Sequence, residues 1–254
     1  MVNDTQELAD LLCVYGIAPR RVQLPEIAGL DVARSIQTLV EGELQAFYSP
    51  VRPTLFPKIE SGEIDPITGR ALAMLAVSFD QIVNSLFQFG TLLPLRFGTL
   101  LPDVEMLRQL LRDHQTDWCA AVTQLDGCVE ISVKVHADRD LLREQLQPAG
   151  DANPVNGTAY LLQRKREIQQ TALINNHIDT VVGAMHAECA ALSKDSLTRA
   201  GSPSDDPPPV LNAHYLVESA NLTALFDILE RYGDAHDWLY LTRDEPTAPY
   251  HFVG

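Results

Sequence analysis

Polar and apolar positions alternate most cleanly over Gly127–His136. Val129, Ile131, Val133 and Val135 fall on one side, and Glu130, Ser132, Lys134 and His136 on the other. A period of two predicts a strand with one buried and one polar face, in a sheet covered by helices on one side only. Glu130 and Lys134 then share the open face, either as a mutual surface pair worth less than about 1 kcal/mol or as part of a docking face. Leu11–Ala18 (LLCVYGIA) is an unbroken apolar run before Pro19 and predicts a buried first strand, with Gly16 marking a bulge or a close backbone approach. Leu24–Leu30 is expected as a loop or short edge segment. Ser35–Val40 and Leu44–Ser49 predict two strands of a hairpin around Gly42.

Helical spacing takes over elsewhere. Leu75, Phe79, Ile82, Leu86 and Phe89 step by fours and threes, so Leu72–Phe89 predicts an amphipathic helix stopped by Gly90. Four prolines make Pro50–Thr68 a surface excursion before it. A second helix is expected over Val104–Gln124, with Leu107, Leu110, Leu111, Trp118 and Val122 inward, and a third over Asp138–Gln147 ahead of a loop at Pro148–Asn156. Ala159–Ser193 predicts a long helical region, broken near Asn175-Asn176, with Leu161, Ile168, Ala172, Ile178, Val182, Met185, Cys189 and Leu192 on one stripe. The end of the chain reads strand Leu211–Ser219, helix Leu222–Tyr232 capped by Asn221 and Gly233, strand Trp238–Arg243 and an extended tail Pro246–Val253.

These elements give an α+β protein of two domains. An N-terminal α+β domain covers 1–125. A C-terminal modified ferredoxin-like domain covers 126–254, with a long helical insertion (159–198) and a flexible loop (200–209). Between the two main helices of the first domain lies Leu93–Asp103, LPLRFGTLLPD. Neither Pro94 nor Pro102 has an amide hydrogen to donate. Leu92–Phe97 is expected as a short buried strand turning at Gly98, with Pro102 in the first turn of the next helix. Arg96 is the odd residue. It either ties the strand to a carboxylate or to carbonyls, as a charge buried in so apolar a run requires, or it contacts a partner.

Composition narrows the function classes. The 254 residues carry a net charge of −15, with 34 acids against 19 bases, which argues against a nucleic-acid partner. The one basic cluster, Arg164-Lys165-Arg166, does not reverse that. No apolar run approaches the roughly 20 residues that span a bilayer, and the acidic N-terminus lacks a secretory n-region, so a cytoplasmic protein with no membrane partner is expected. Cys13, Cys119, Cys128 and Cys189 are expected as reduced, mostly buried thiols. His186-x-x-Cys189 is the nearest approach to metal-ligand spacing and lacks a second pair. Hydrolase elbow, zinc-protease helix, phosphate loop and dinucleotide turn are all missing from the sequence. No enzyme activity, cofactor or metal is expected, while amphipathic stripes and an open sheet face suit a protein that binds other proteins.

A family resemblance runs along nearly the whole chain. Pro94-Leu95-Arg96-Phe97-Gly98-Thr99 resembles the signature of the GvpF/GvpL family of gas vesicle proteins. Val14-Tyr15-Gly16-Ile17, Leu44–Val51, Gly127 with Glu130 and Val133–Val135, Gly157–Leu161 with Arg164–Arg166, and Thr247-Ala248-Pro249-Tyr250 with Phe252 are similar to its other blocks. Phe79-Asp80 stands where the family often has His-Glu. The resemblance implies an α+β domain joined to a modified ferredoxin-like domain and a non-catalytic role in gas vesicle assembly. It implies as partners the small, very apolar shell subunit GvpA, other accessory proteins, or both, with retention as a minor vesicle component. A scaffold that links accessory proteins without touching the shell subunit is the alternative. Candidate partner contacts are Arg96, Phe97, Glu130, Lys134, Arg164 and Arg166. Docking is expected by strand addition at a sheet edge or, preferentially, by an apolar helix laid in the cleft between the domains near Arg96 and Phe97.

Overall fold

Leu11–Pro19 (β1) is the centre of the first sheet. It pairs antiparallel with Leu44–Val51 (β3), which pairs in turn with Gln37–Glu41 (β2). On its other side β1 receives two short strands, Leu93–Pro94 (β4) and Leu100–Leu101 (β5). The order is β2-β3-β1-β4, with β5 also on β1. The structure is a computed structural model that describes residues 9–23, 26–57, 65–146, 157–202 and 205–253, with the backbone alone described over 157–162. The expected loop at Pro148–Asn156 lies outside these residues, as do the side chain of Leu161 and parts of the Leu24–Leu30 and Pro50–Thr68 segments. β3 runs past Ser49 to Val51. The last residue of β3 that β2 reaches is Tyr48, so the missing donor of Pro50 breaks no bond on that side.

A register shift between Val14 and Gly16 leaves Tyr15 as a bulge in β1. Gly16 lies directly against the neighbouring strand: a Cβ there would come within 2.8 Å of Leu92 Cδ1 and 2.9 Å of the Leu93 carbonyl oxygen. The bulged Tyr15 side chain is fully buried. Its hydroxyl accepts from the Leu30 amide at 2.7 Å and shares a hydrogen bond with Ser49 Oγ at 2.7 Å. Its ring packs on Phe79 of the helix Pro66–Phe87 (α1), with centroids 5.3 Å apart.

α1 starts at Asp65, whose carboxylate accepts from the Ile67 and Thr68 amides, with Pro66 at the position that needs no donor. Its buried face is Phe79, Val83 and Leu86. Phe89, placed on the stripe by spacing, lies past the helix end and is 45% exposed. The helix expected over Val104–Gln124 is two helices, Val104–Asp113 (α2) and Gln115–Leu125 (α3), separated by a non-helical His114. Asp103 caps α2 by accepting from the Met106 amide at 2.8 Å, so Pro102 precedes the cap instead of entering the first turn. α2 is tied to β2 by Arg108 and Arg112, both paired with Glu41.

The second sheet takes its first strand from Cys128–Ala137 (β6). Arg139–Leu146 (α4) and Gly157–Leu192 (α5) lead to Asp195–Thr198 (β7). Leu211–Glu218 (β8), Leu222–Ala235 (α6) and Leu239–Arg243 (β9) complete it. The order β7-β8-β6-β9 puts the third strand beside the first, the ferredoxin-like arrangement. The segment expected as helical to 198 ends at Leu192, and the short edge strand β7 follows. Four residues, DSLT, with no buried side chain carry too little pattern to announce a strand. α5 continues through Asn175-Asn176, where Asn175 accepts from the Arg139 guanidinium. Ile174, Ile178, Val182, Met185 and Cys189 are buried, whereas Ile168 and Leu173 are more than 60% exposed. Asn221 does not cap α6 with its side chain. It donates to the Leu192 carbonyl, and the helix runs through Gly233.

Two compact units result: Met1–Val129 with Thr247–Gly254, and Glu130–Pro246. The terminal eight residues, assigned to the second domain by sequence, thus belong with the first. Ala248 is fully buried there, its amide bound to Asn84 Oδ1 of α1 at 3.1 Å.

Candidate partner-binding groove

The Arg-Phe-Gly-Thr stretch is a tight turn between β4 and β5. The Arg96 carbonyl accepts from the Thr99 amide at 3.1 Å and from Thr99 Oγ1 at 2.7 Å. Gly98, at the third position, has φ +87°, which this turn demands and a side chain resists. Leu95 N donates to the Tyr15 carbonyl and Val14 N to the Thr99 carbonyl, so both ends of the turn are bonded to β1 around its bulge. Phe97 faces inward, at 5.6 Å from the Phe79 ring and 6.1 Å from Phe56. Arg96 faces outward. The expectation of a buried, paired guanidinium fails because the turn carries this side chain out of the apolar run, and among the described residues the guanidinium has no hydrogen bond or ion pair.

Arg96 stands beside a groove of ≈ 550 Å³ within the first unit. One wall is β4 and Leu95. The other is the start of α3, where His114, Asp117 and Trp118 project. The His114 and Trp118 rings stack at 4.8 Å and 18°, giving a flat, half-exposed aromatic surface. Trp118 was expected to point inward, and His114 was one of seven scattered histidines. The available signal was their spacing of four on a helix, which puts two rings on one face. In the second unit a comparable groove lies between α6 and β9, but there Arg243 already sits 3.8 Å over the Phe226 ring, so its cation is engaged.

The remaining candidates scatter. Glu130 is 2% exposed, not on an open face: Oε1 lies 3.1 Å from His214 Nδ1, brought alongside by β8. Ser132 Oγ lies 2.9 Å from the same nitrogen. The one-sided sheet expected from alternation therefore fails at this end of β6, where both faces are covered. Lys134 pairs with Asp205 at 3.1 Å, not with Glu130, and holds that carboxyl below its ordinary value. Arg164 and Arg166 are exposed on α5, Arg164 at 3.4 Å from Glu167.

Cys13, Cys128 and Cys189 are buried, and Cys119 is half-buried. Burial pushes Cys13 up to about 12 and Cys189 up to about 11, far from the thiolate a nucleophile or metal ligand needs. His186 Nδ1 bonds the Tyr215 hydroxyl at 2.8 Å, so it does not stand as a free ligand beside Cys189. No helix among the described residues is long and apolar enough to cross a membrane.

This two-unit α+β architecture is that of solved gas vesicle proteins. Over 97% of both chains the structure superposes on GvpF from Anabaena sp. PCC7120 with a TM-score of 0.71 at 20% identity. GvpF from Microcystis aeruginosa matches over 96% of this chain and 99% of its own, at 0.69 and 18%. At such identities the likeness is one of fold. Sequence goes further: residues 11–254 match the model of the gas vesicle synthesis protein GvpL/GvpF family, and the chain belongs to that family. Gas vesicle protein L of Streptomyces sp. (strain CB03234) is 27% identical over 211 residues, 77% of each chain. Gas vesicle protein F of the same organism is 24% identical over 94% of this chain and 98% of its own.

Proposed function

We propose that this protein is a non-catalytic accessory factor of gas vesicle assembly that binds the small apolar shell subunit (GvpA-like) in the cytoplasm. The observation that carries the reading is the family match across residues 11–254. A shell subunit with a water-repelling face aggregates unless that face is covered. A chain of net charge −15 keeps such a complex soluble and repels its own copies. Of the residues singled out by sequence, Arg96 is the one that stands at a groove with an aromatic wall, and binding is assigned there. Phe97 contributes by holding the turn from within.

The test is co-expression with the shell subunit, affinity capture and titration of the purified pair. A soluble complex of fixed stoichiometry is expected. A folded, monodisperse protein that leaves the shell subunit insoluble overturns the reading. The exposed half of α5, with Arg164, Arg166, Ile168 and Leu173, favours a second reading, a scaffold that joins other accessory proteins. Capture of those proteins without the shell subunit marks that outcome.

A further inference from the structure

Resting on the shell-subunit reading above, we propose that the groove beside Arg96 takes a segment of that subunit in which one carboxylate neighbours apolar residues. The carboxylate is held by Arg96, and an apolar side chain lies on the His114–Trp118 stack.

Charge complementarity carries the argument. In the first unit Arg34 pairs with Asp10, Arg52 with Asp31, and Arg108 and Arg112 with Glu41. Arg20, Arg21, Arg70 and Arg96 have no ion pair among the described residues, and of these Arg96 is the one that lines the groove with the stacked rings. Arginine's planar fork matches a carboxylate in bidentate fashion. Asp117, on the same rim, disfavours a second negative charge. Arg96 and Asp117 together select a single carboxylate over a polyanion. Pro94 decides the mode of docking. β4 is the sheet edge, but two residues with one proline offer a poor ladder for strand addition. Recognition therefore falls to side chains: the guanidinium, the stacked rings, and the apolar surface of Leu93, Pro94 and Leu95.

The experiment uses the full chain and overlapping 15-residue peptides covering the shell subunit and the other vesicle proteins. Binding is followed by Trp118 emission, since Trp238 is buried in the second unit. A shell-subunit peptide is expected to bind. Changing its Asp or Glu to the amide, or Arg96→Gln in the protein, is expected to weaken binding about tenfold or more. Arg96→Glu is expected to recover affinity for the peptide carrying Lys at that position. Arg96 is exposed and has no side-chain hydrogen bond or ion pair among the described residues, so the thermal midpoint of Arg96→Gln is expected to stay at the wild-type value. Shell-subunit binding that is indifferent to Arg96 and to peptide charge overturns the groove assignment and leaves the shell-subunit reading standing. Arg96-dependent binding of an acidic–apolar peptide from another vesicle protein overturns the shell-subunit occupant and retains the carboxylate clamp. No Arg96-dependent binding by any peptide overturns the proposal.

Discussion

Removing one oxygen, in Tyr15→Phe, tests the account of the first sheet most directly. The hydroxyl is fully buried, accepts from the Leu30 amide at 2.7 Å, shares a hydrogen bond with Ser49 Oγ at 2.7 Å and lies beside the Cys13 thiol. Phenylalanine keeps the ring on Phe79 and the bulge in β1, so packing is nearly conserved. What changes is that a buried N–H and a buried hydroxyl lose their partner together. An orphaned buried amide costs about 1–3 kcal/mol, and the hydroxyl adds about 1. The expected destabilisation is about 2–4 kcal/mol, or roughly 4–16 °C in a thermal midpoint for a chain of this length. Urea unfolding should show a lower midpoint with an unchanged slope. Amide exchange reads the bond itself: Leu30 should lose protection by about tenfold or more, ahead of amides elsewhere in β1. Ser49→Ala removes one of the two bonds. The double mutant should fall short of additivity by roughly 1 kcal/mol, because the two side chains share a bond. A Tyr15→Phe variant within about 0.5 kcal/mol of wild type, with Leu30 protection intact, refutes the claim that this hydroxyl anchors the loop between β1 and β2.

Three further outcomes follow from the same geometry. Gly16→Ala should disrupt the pairing of β1 with β4, because its Cβ would meet the Leu93 carbonyl oxygen at 2.9 Å and backbone cannot swing aside; wild-type stability and wild-type exchange at Leu95 would remove that expectation. Half-buried Cys119 should be alkylated first at pH 8, with Cys13 and Cys189 reacting only on unfolding. Intact-mass kinetics showing Cys13 modified as fast as Cys119 contradicts this. Arg52 holds the Asp31 carboxyl below its ordinary value, and Arg112 and Arg108 do the same for Glu41. A depressed carboxyl stabilises fully above its unfolded value near pH 4 and loses that contribution as pH falls through its folded value. Acid unfolding of the first unit should therefore begin below about pH 4, and Arg52→Gln should flatten the dependence. An unchanged profile speaks against the Asp31 pair as its source.

Alternation located β6 and helical spacing located α1, whereas β1, β3 and β8, buried on most residues, were legible as short apolar-rich runs, all with ends off by a few residues. The ferredoxin-like arrangement followed from strand and helix order. The elements that escaped have almost no pattern to show. β4 and β5 are two residues each and exist because the Tyr15 bulge opens β1 to both. β7 is four residues on an edge. The His114 break divides a helix whose apolar spacing continues across it. Alternation on β6 was correctly read as a strand but gave the wrong exposure for Glu130, since period two states which residues share a side and not whether a neighbour such as His214 covers that side.

Arg96 shows why the groove was harder to see than the fold. A guanidinium flanked by Leu92, Leu93, Leu95 and Phe97 invites the inference that it is buried with them, and burial would oblige it to pair. That inference assumes a strand running through Phe97. The chain instead leaves β4 after Pro94 and turns back at Gly98, which sends Phe97 to the core and Arg96 to the surface. The same glycine that fixes the turn therefore converts a structural charge into an available one. Its neighbours across the groove come from α3, some twenty residues on, so no local window of sequence contains the site. The groove is assembled from residues that the fold, not the motif, brings together.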